Sequence, residues 1–234
     1  MNALNRNEGL YYPTEGGIDL HSIMRQVYIW MSLGMLITAG VAYITVSTPL
    51  INLAANPIIL LVAVVAEFGL VMGISFRFSR FSSGVAAVLF FAYAALNGFT
   101  LSIVLLAFTL GSVFAAFLST AALFGAMTIL GYTTKVDLTK MGTFLMMGVF
   151  GLLIAMVVNM FINSGLLDMI ISMAGVLIFT ALTAYDTQRI GRMAAQISTP
   201  GEAGAKLAVF GALKLYLDFI NMFLFMLRLF GRRR

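Results

Sequence analysis

Asp186 in TALTAYDTQRI and Asp218 in LYLDFINMFLFML lie inside apolar stretches near the C-terminus. A carboxylate in hydrocarbon costs roughly 2.5–3.5 kcal/mol on insertion scales, so a chain keeps one there only with a partner, water or an ion. Two of them on neighbouring helices point to a shared proton or a cation site. If they meet, like charges in low dielectric do not both ionise easily, and the pair keeps one proton between them. Losing that proton creates repulsion, or an oxygen-rich site for a hard cation such as calcium. Protonation would then bias two arrangements of the last helix, which makes the pair a candidate pH gate.

The elements that must carry these residues are membrane spans. The 234 residues are 61% hydrophobic and only 10% charged, a composition outside the range of soluble domains. About seven apolar stretches each approach the roughly 20 residues that cross a bilayer. The expected spans are 27–46, 57–75, 84–106, 113–132, 142–162, 167–188 and 207–230, forming one all-α transmembrane domain over residues 27–230. Residues 1–26 read as a polar tail, with no apolar run or small-residue cleavage site of a signal peptide. Residues 231–234 read as a basic tail. The longest connection, from Arg189 to Lys206, contains Ser198-Thr199-Pro200-Gly201, which should break any helix.

The chain has no cysteine, which excludes disulfides and thiolate metal sites. Its one histidine, His21, precedes the first span and reads as a solvated tail residue. The net charge of +5 follows membrane topology and is not a nucleic-acid signal. Arg6, Arg25, Arg77, Arg80, Lys135, Lys140, Arg189, Arg192 and Lys206 all fall on the N-terminal side of the spans. The positive-inside rule therefore puts the N-terminus in the cytoplasm. Arg232, Arg233 and Arg234 oppose that placement, because seven crossings carry them outside.

In the last span Lys214, Asp218, Asn221, Phe225 and Arg228 are spaced 4, 3, 4 and 3, which lines one helical face. Such a stripe is intolerable against lipid, so the last helix is expected at the centre, surrounded by the other six. Lys214 and Asp218 also suit an i,i+4 ion pair, which would neutralise both. Thr183 and Thr187 bracket Asp186 within one turn and offer hydroxyls. One tension remains in the pairing. Asp186 lies near the end of its span, whereas Asp218 lies eleven residues, ~16 Å at 1.5 Å per residue, beyond Leu207. Glu67 is a third intramembrane acid, near the middle of the second span; the plain alternative is a glutamic acid bonded to a neighbouring helix. Asn97, Asn159 and Asn221 read as interhelical glue. Gly69-xxx-Gly73 and Ala121-xxx-Gly125 read as close-packing sites.

The runs GYTTKVDLTKMGTFL, TALTAYDTQRI and LYLDFINMFLFMLRLFG resemble the Bax inhibitor (transmembrane BAX inhibitor motif) family, in its bacterial inner-membrane branch. That resemblance implies a seven-helix fold with a central last helix and a pH-sensitive calcium leak activity. It matches Asp186 and Asp218 to the family's pH-sensing dyad, and Glu67 to a glutamate where ions enter from outside. The family also latches its dyad with an arginine near the end of the second helix. Arg77 and Arg80 flank that position here, and Phe78 occupies it.

Two other classes compete. A regulator acting by binding membrane proteins, such as a membrane protease, would use the polar tail and basic terminus as handles. An intramembrane aspartyl protease also places two aspartates on adjacent helices, one of them after tyrosine, as in Tyr185-Asp186. Its second aspartate needs Gly-x-Gly-Asp, whereas Asp218 follows Leu-Tyr-Leu. The leading expectation is a proton-sensitive cation leak pathway in the lipid bilayer, with calcium as the permeant ion, no cofactor and no catalysis.

Overall fold

Side-chain caps start four of the eight described helices in the computed structural model, which describes residues 20–77, 81–197 and 201–232. The helices are α1 (Leu20–Ser47), α2 (Leu50–Ala54), α3 (Pro57–Arg77), α4 (Ser83–Leu106), α5 (Leu110–Thr133), α6 (Gly142–Ile162), α7 (Gly165–Ala195) and α8 (Glu202–Phe230). Side chains of Ser82, Thr109 and Ser164 accept backbone N–H groups in the first turns of α4, α5 and α7. These satisfy donors that a helix start would otherwise leave orphaned. Asn56 does the same for α3, accepting from Ile58 N at 2.9 Å, and Pro57 suits the first helical position. Asn163 ends α6 in the left-handed region, at φ 52°, a conformation asparagine tolerates.

All helices but α2 are long and apolar enough to cross a bilayer, seven among the described residues. The last one is the centre of the bundle. Of its most apolar eighteen residues 72% are buried, against 11% in α3. It packs against α1, α4, α5 and α7, while α3 lies outside on α4 and α6 outside on α7. The expected ring of six neighbours is thus a ring of four with two outriders.

The last helix runs the full length of α4, because its two ends dock at opposite ends of that helix. At one end the Glu202 carboxylate accepts from the Ser83 hydroxyl at 2.8 Å. At the other, Arg232 accepts from Thr109 N at 3.0 Å and donates its N–H to Ser112 Oγ at 2.9 Å.

Several local expectations change. α1 starts at Leu20, inside the stretch read as polar tail, because Ile23, Met24 and Val27 form a buried face continuous with the span. α7 runs to Ala195, past the expected end at Gln188, and α8 starts at Glu202. His21 is therefore helical, and the Tyr132 hydroxyl meets its Nδ1 at 3.0 Å. Gly69, Gly73 and Gly125 have open space where a Cβ would stand, so no close helix approach occurs at these three glycines. Close approach occurs elsewhere. A Cβ on Gly98 would overlap the Thr38 carbonyl, and one on Gly131 the Ala184 carbonyl. Asn159 accepts from Ser164 N at the α6–α7 turn, and Asn221 donates back to Leu217 O, so only Asn97 bonds between helices.

Candidate functional site

The antiparallel α7–α8 pair fixes the two aspartates. Phe179 stacks on Phe225 with ring centroids 5.9 Å apart, and Thr180 Oγ1 reaches Met222 Sδ at 3.9 Å. Gly211 packs on Ile190, where a Cβ would lie 3.1 Å from its side chain. This register brings Asp186 level with the turn Leu215–Asp218. It also resolves the depth mismatch. α7 continues nine residues past Asp186, to Ala195, and the first turn of α8 projects beyond that end. The two carboxylates therefore stand at similar depth, ~14–16 Å inside at 1.5 Å per residue.

Both side chains are buried, Asp186 at 5% exposure and Asp218 at 4%. Asp218 feels the charges of Asp186 and Lys214, and Asp186 those of Lys214 and Arg189. Among the described residues, however, the ion pairs within 4.0 Å are Arg192–Asp137 and Lys206–Glu202. The alternative i,i+4 ion pair of Lys214 with Asp218 is not formed. Lys214 instead acts at a distance on both carboxylates. Asp218 Oδ2 has no hydrogen-bond partner, and buried polar atoms in that condition call for an explanation. Nor do the neighbouring hydroxyls serve the pair as expected. Thr183 donates to Phe179 O at 2.8 Å, and Thr187 Oγ1 faces Tyr28 of α1.

A cavity of about 310 Å³ opens beside Asp186, bordered by Thr143 and Met146 of α6, Tyr185 and Arg189 of α7, and Lys214 of α8. Two glycines shape it. Gly131 of α5 lets the backbone of α5 approach Ala184, and Gly142 leaves room for the Tyr185 ring. The Tyr185 hydroxyl accepts from Arg189 Nη1 at 3.3 Å.

The α5–α6 connection is clamped over the same end of α7. Gln188 donates to Val136 O at 2.8 Å and accepts from Leu138 N at 2.9 Å. Arg192 Nη1 sits 2.7 Å from both the Asp137 carboxylate and Thr139 Oγ1. The Thr139 hydroxyl and N–H, and then Arg192, hold the Asp137 carboxyl below its ordinary range. This ion pair therefore persists into acid that protonates ordinary carboxylates, and the clamp does not respond to pH near neutrality.

Glu67 is held on the far side of α8. Thr100 Oγ1 donates to its Oε1 at 2.6 Å and Asn97 Nδ2 to its Oε2 at 3.4 Å. Asn97 Oδ1 accepts from the Tyr216 hydroxyl at 3.2 Å, and that hydroxyl meets Thr38 Oγ1 at 2.6 Å. Thr38 Oγ1 also lies within hydrogen-bonding distance of Gly34 O and Ala94 O, which share its one proton with the tyrosine oxygen. A polar chain thus crosses α3, α4, α8 and α1. The alternative reading of Glu67, a carboxyl bonded to a neighbouring helix, is what the geometry shows. Tyr216 and Asp218 are two residues apart, ~200° around the helix, so the chain and the pair occupy opposite faces of α8. Tyr216→Phe removes the central hydroxyl and leaves Asn97 Oδ1 without its donor in a dry interior, while Thr38 keeps its backbone acceptors. We expect a loss of about 1–3 kcal/mol, read as a lowered unfolding temperature in detergent; an unchanged value would contradict the chain's structural role.

Of the candidate latch residues, Arg80 lies outside the described residues, as does the side chain of Arg77, whose backbone ends α3. Asn221 and Lys214 are half-buried on the stripe. Sequence reasoning missed Tyr216, Thr38 and Thr100. Their signal was available, since each hydroxyl within an apolar span needs a partner, but the Thr38–Tyr216 contact joins residues 178 apart.

Residues 20–234 match the family described as inhibitor of apoptosis-promoting Bax1. The inner membrane protein YbhL of Escherichia coli K12 is 40% identical over 237 residues, covering the whole of both chains. An uncharacterized protein of Borreliella burgdorferi is 44% identical over 92% of this chain and 93% of its own. Another from Deinococcus radiodurans is 42% identical over 92% of each.

Proposed function

The chain belongs to the Bax inhibitor family, and on that premise we propose that it is a multi-pass inner-membrane protein providing a pH-sensitive leak path for cations, calcium foremost. One observation carries the reading. Two buried carboxylates on adjacent helices face each other electrostatically, without an ion pair and with one oxygen of Asp218 unpartnered, beside a cavity. That arrangement is costly unless the site serves protons or ions. With the pair protonated, α7 and α8 pack without repulsion. With the proton lost, the two carboxylates repel or share a cation.

The donor set suits passage and not retention. Among the described residues no three His, Cys, Asp or Glu converge, whereas a retained calcium takes six to eight oxygen ligands. The pair holds a hydrated calcium briefly and releases it. The N-terminal face lies in the cytoplasm by the basic-residue bias, and Arg189 and Lys214 border the cytoplasmic mouth. Glu67 takes cations arriving from outside, and its hydrogen bonds through Asn97 to Tyr216 link its occupancy to α8. In this reading the aspartates cleave no substrate.

The test is calcium uptake by vesicles holding the purified protein, at several calcium concentrations. Glu67→Gln is expected to raise severalfold the calcium needed for half-maximal uptake and to leave the pH response intact. Uptake indistinguishable from empty vesicles at every pH would overturn the leak reading and favour a regulator that acts by binding other membrane proteins.

A further inference from the structure

One stripe of α1 lines two cavities. His21, Arg25 and Tyr28 border a cleft of about 310 Å³ at the N-terminal face, with Thr128 and Tyr132 of α5 opposite. Further along, Met35, Ala39 and Ala42 border an apolar cavity of about 420 Å³, with Phe117 of α5 opposite and Phe219 and Ile220 of α8 at its floor. Residues 21, 28, 35 and 42 recur every seven, which keeps them near one face of a helix. The two cavities are therefore successive widenings of a single seam between α1 and α5. Both helices pack on α8 and not closely on each other. Phe114 and Leu110, on the α5 side of the apolar cavity, are exposed, so the seam opens sideways into the bilayer.

The chemistry changes along this seam as it does along a phospholipid. Arg25 is exposed at the N-terminal end. Among the described residues no acidic side chain lines the cleft, and no carboxylate lies within 4.0 Å of Arg25. A guanidinium in that setting suits a phosphate, which it takes by paired charge-assisted hydrogen bonds. Basic pockets between transmembrane helices on the cytoplasmic side hold anionic lipid headgroups, and the basic-residue bias puts the N-terminal face on that side. Beyond Tyr28 the lining turns apolar. Met35 is ten residues from Arg25, ~15 Å at 1.5 Å per residue, or about half of a ~30 Å hydrocarbon core. A lipid with its phosphate at Arg25 therefore brings its chain ends to the apolar cavity. A soluble anion would use only the cleft, and a wholly apolar molecule only the cavity.

We propose that the α1–α5 seam binds one anionic phospholipid from the leaflet at the N-terminal face, with its phosphate on Arg25 and its chain ends against Phe117 and the central helix. The Tyr132 hydroxyl, 3.0 Å from His21 Nδ1, ties α5 to α1 at the headgroup end. At the chain end Phe219 of α8 stands edge-on to Phe117, with ring centroids 5.6 Å apart, and gives the chains a rigid apolar wall. The site does not depend on the leak reading and stands whether or not the protein passes cations.

Lipid retention decides it. Protein extracted from vesicles of phosphatidylglycerol and phosphatidylcholine with identical chains is expected to keep a single phosphatidylglycerol, counted by mass spectrometry of the intact complex. Arg25→Gln should cut that retention roughly tenfold or more, and Arg25→Lys, which keeps the charge, should restore most of it. Ala39→Phe fills the apolar cavity without altering charge and should also lower retention. Arg25 and Ala39 are both exposed, so these substitutions leave the bundle folded, as an unchanged unfolding temperature in detergent would check. Lys140→Gln removes a basic residue from the same face outside the cleft and should change nothing. Equal retention of the two lipids, or a loss in Lys140→Gln as large as in Arg25→Gln, would overturn the site. Displacement of the lipid by inorganic phosphate, with Ala39→Phe retaining as much as the unmodified protein, would reduce the cleft to an anion site and overturn the lipid assignment.

Discussion

Asp218→Asn is expected to hold cation flux at its acid-side value at every pH. Asparagine matches the neutral carboxyl in size, so the variant imitates the protonated pair permanently. The substitution removes the repulsion that deprotonation would create and halves the acidic ligand set. Asp186→Asn should do the same, because either substitution leaves one carboxylate facing a neutral group. Coupling of about 1–3 kcal/mol between sites corresponds to roughly 5- to 150-fold, so loss of a roughly tenfold pH response is the scale to look for. Both substitutions leave Lys214 in place. A variant that tracked the unmodified protein across pH would remove that aspartate from the gate. Stability is a separate readout. Asp218 is 4% exposed with an unpartnered oxygen, so an amide there should change the unfolding temperature little or raise it.

The second large effect is structural and starts at Gly131. A methyl at that position would overlap the Ala184 carbonyl oxygen and lie 2.9 Å from the Ala184 Cα. Backbone cannot swing aside as a side-chain tip can, so α5 must separate from α7 two residues from Asp186. Overpacking of this kind costs typically about 1–3 kcal/mol, and Gly131→Ala should fall at or above the top of that range. It should also disturb flux, since the displaced segment carries Tyr185 and Asp186. Gly69→Ala and Gly73→Ala are the controls. Neither position has an atom within 4 Å of an added Cβ, and alanine is the better helix former by about 1 kcal/mol. Thermal unfolding in detergent should therefore rank Gly131→Ala far below two variants at or above the unmodified protein. Equal losses at all three would contradict the packing described.

Hydropathy and polar spacing made much of this legible in advance. Seven spans, the central last helix and the two aspartates follow from the bilayer's intolerance of polar backbone and charge. Boundaries were less legible where a span continues beyond the lipid. α7 runs on past Gln188 because Gln188 and Arg192, polar residues that look like a loop, pin the α5–α6 connection. That extension brings Asp186 and Asp218 level.

Close packing was misread for a physical reason. A small-xxx-small pattern marks a smooth helix face but not whether another helix lies against it. α3 sits at the outside of the bundle with Gly69 and Gly73 unopposed, while isolated Gly98 and Gly131 make the tight contacts. The chain Glu67–Asn97–Tyr216–Thr38 was hidden by distance in sequence, with each member plausible alone and its partners fixed only by the fold.

The central claim is that the Asp186–Asp218 pair gates a cation path by protonation. Its most direct test is calcium flux into sealed vesicles, from about pH 6 to 8, for the unmodified protein beside Asp186→Asn and Asp218→Asn. The account predicts a flux that changes with pH in the unmodified protein and stays flat, at the acid-side level, in both variants. A flux that does not vary with pH, or one whose pH profile survives both substitutions, would contradict it.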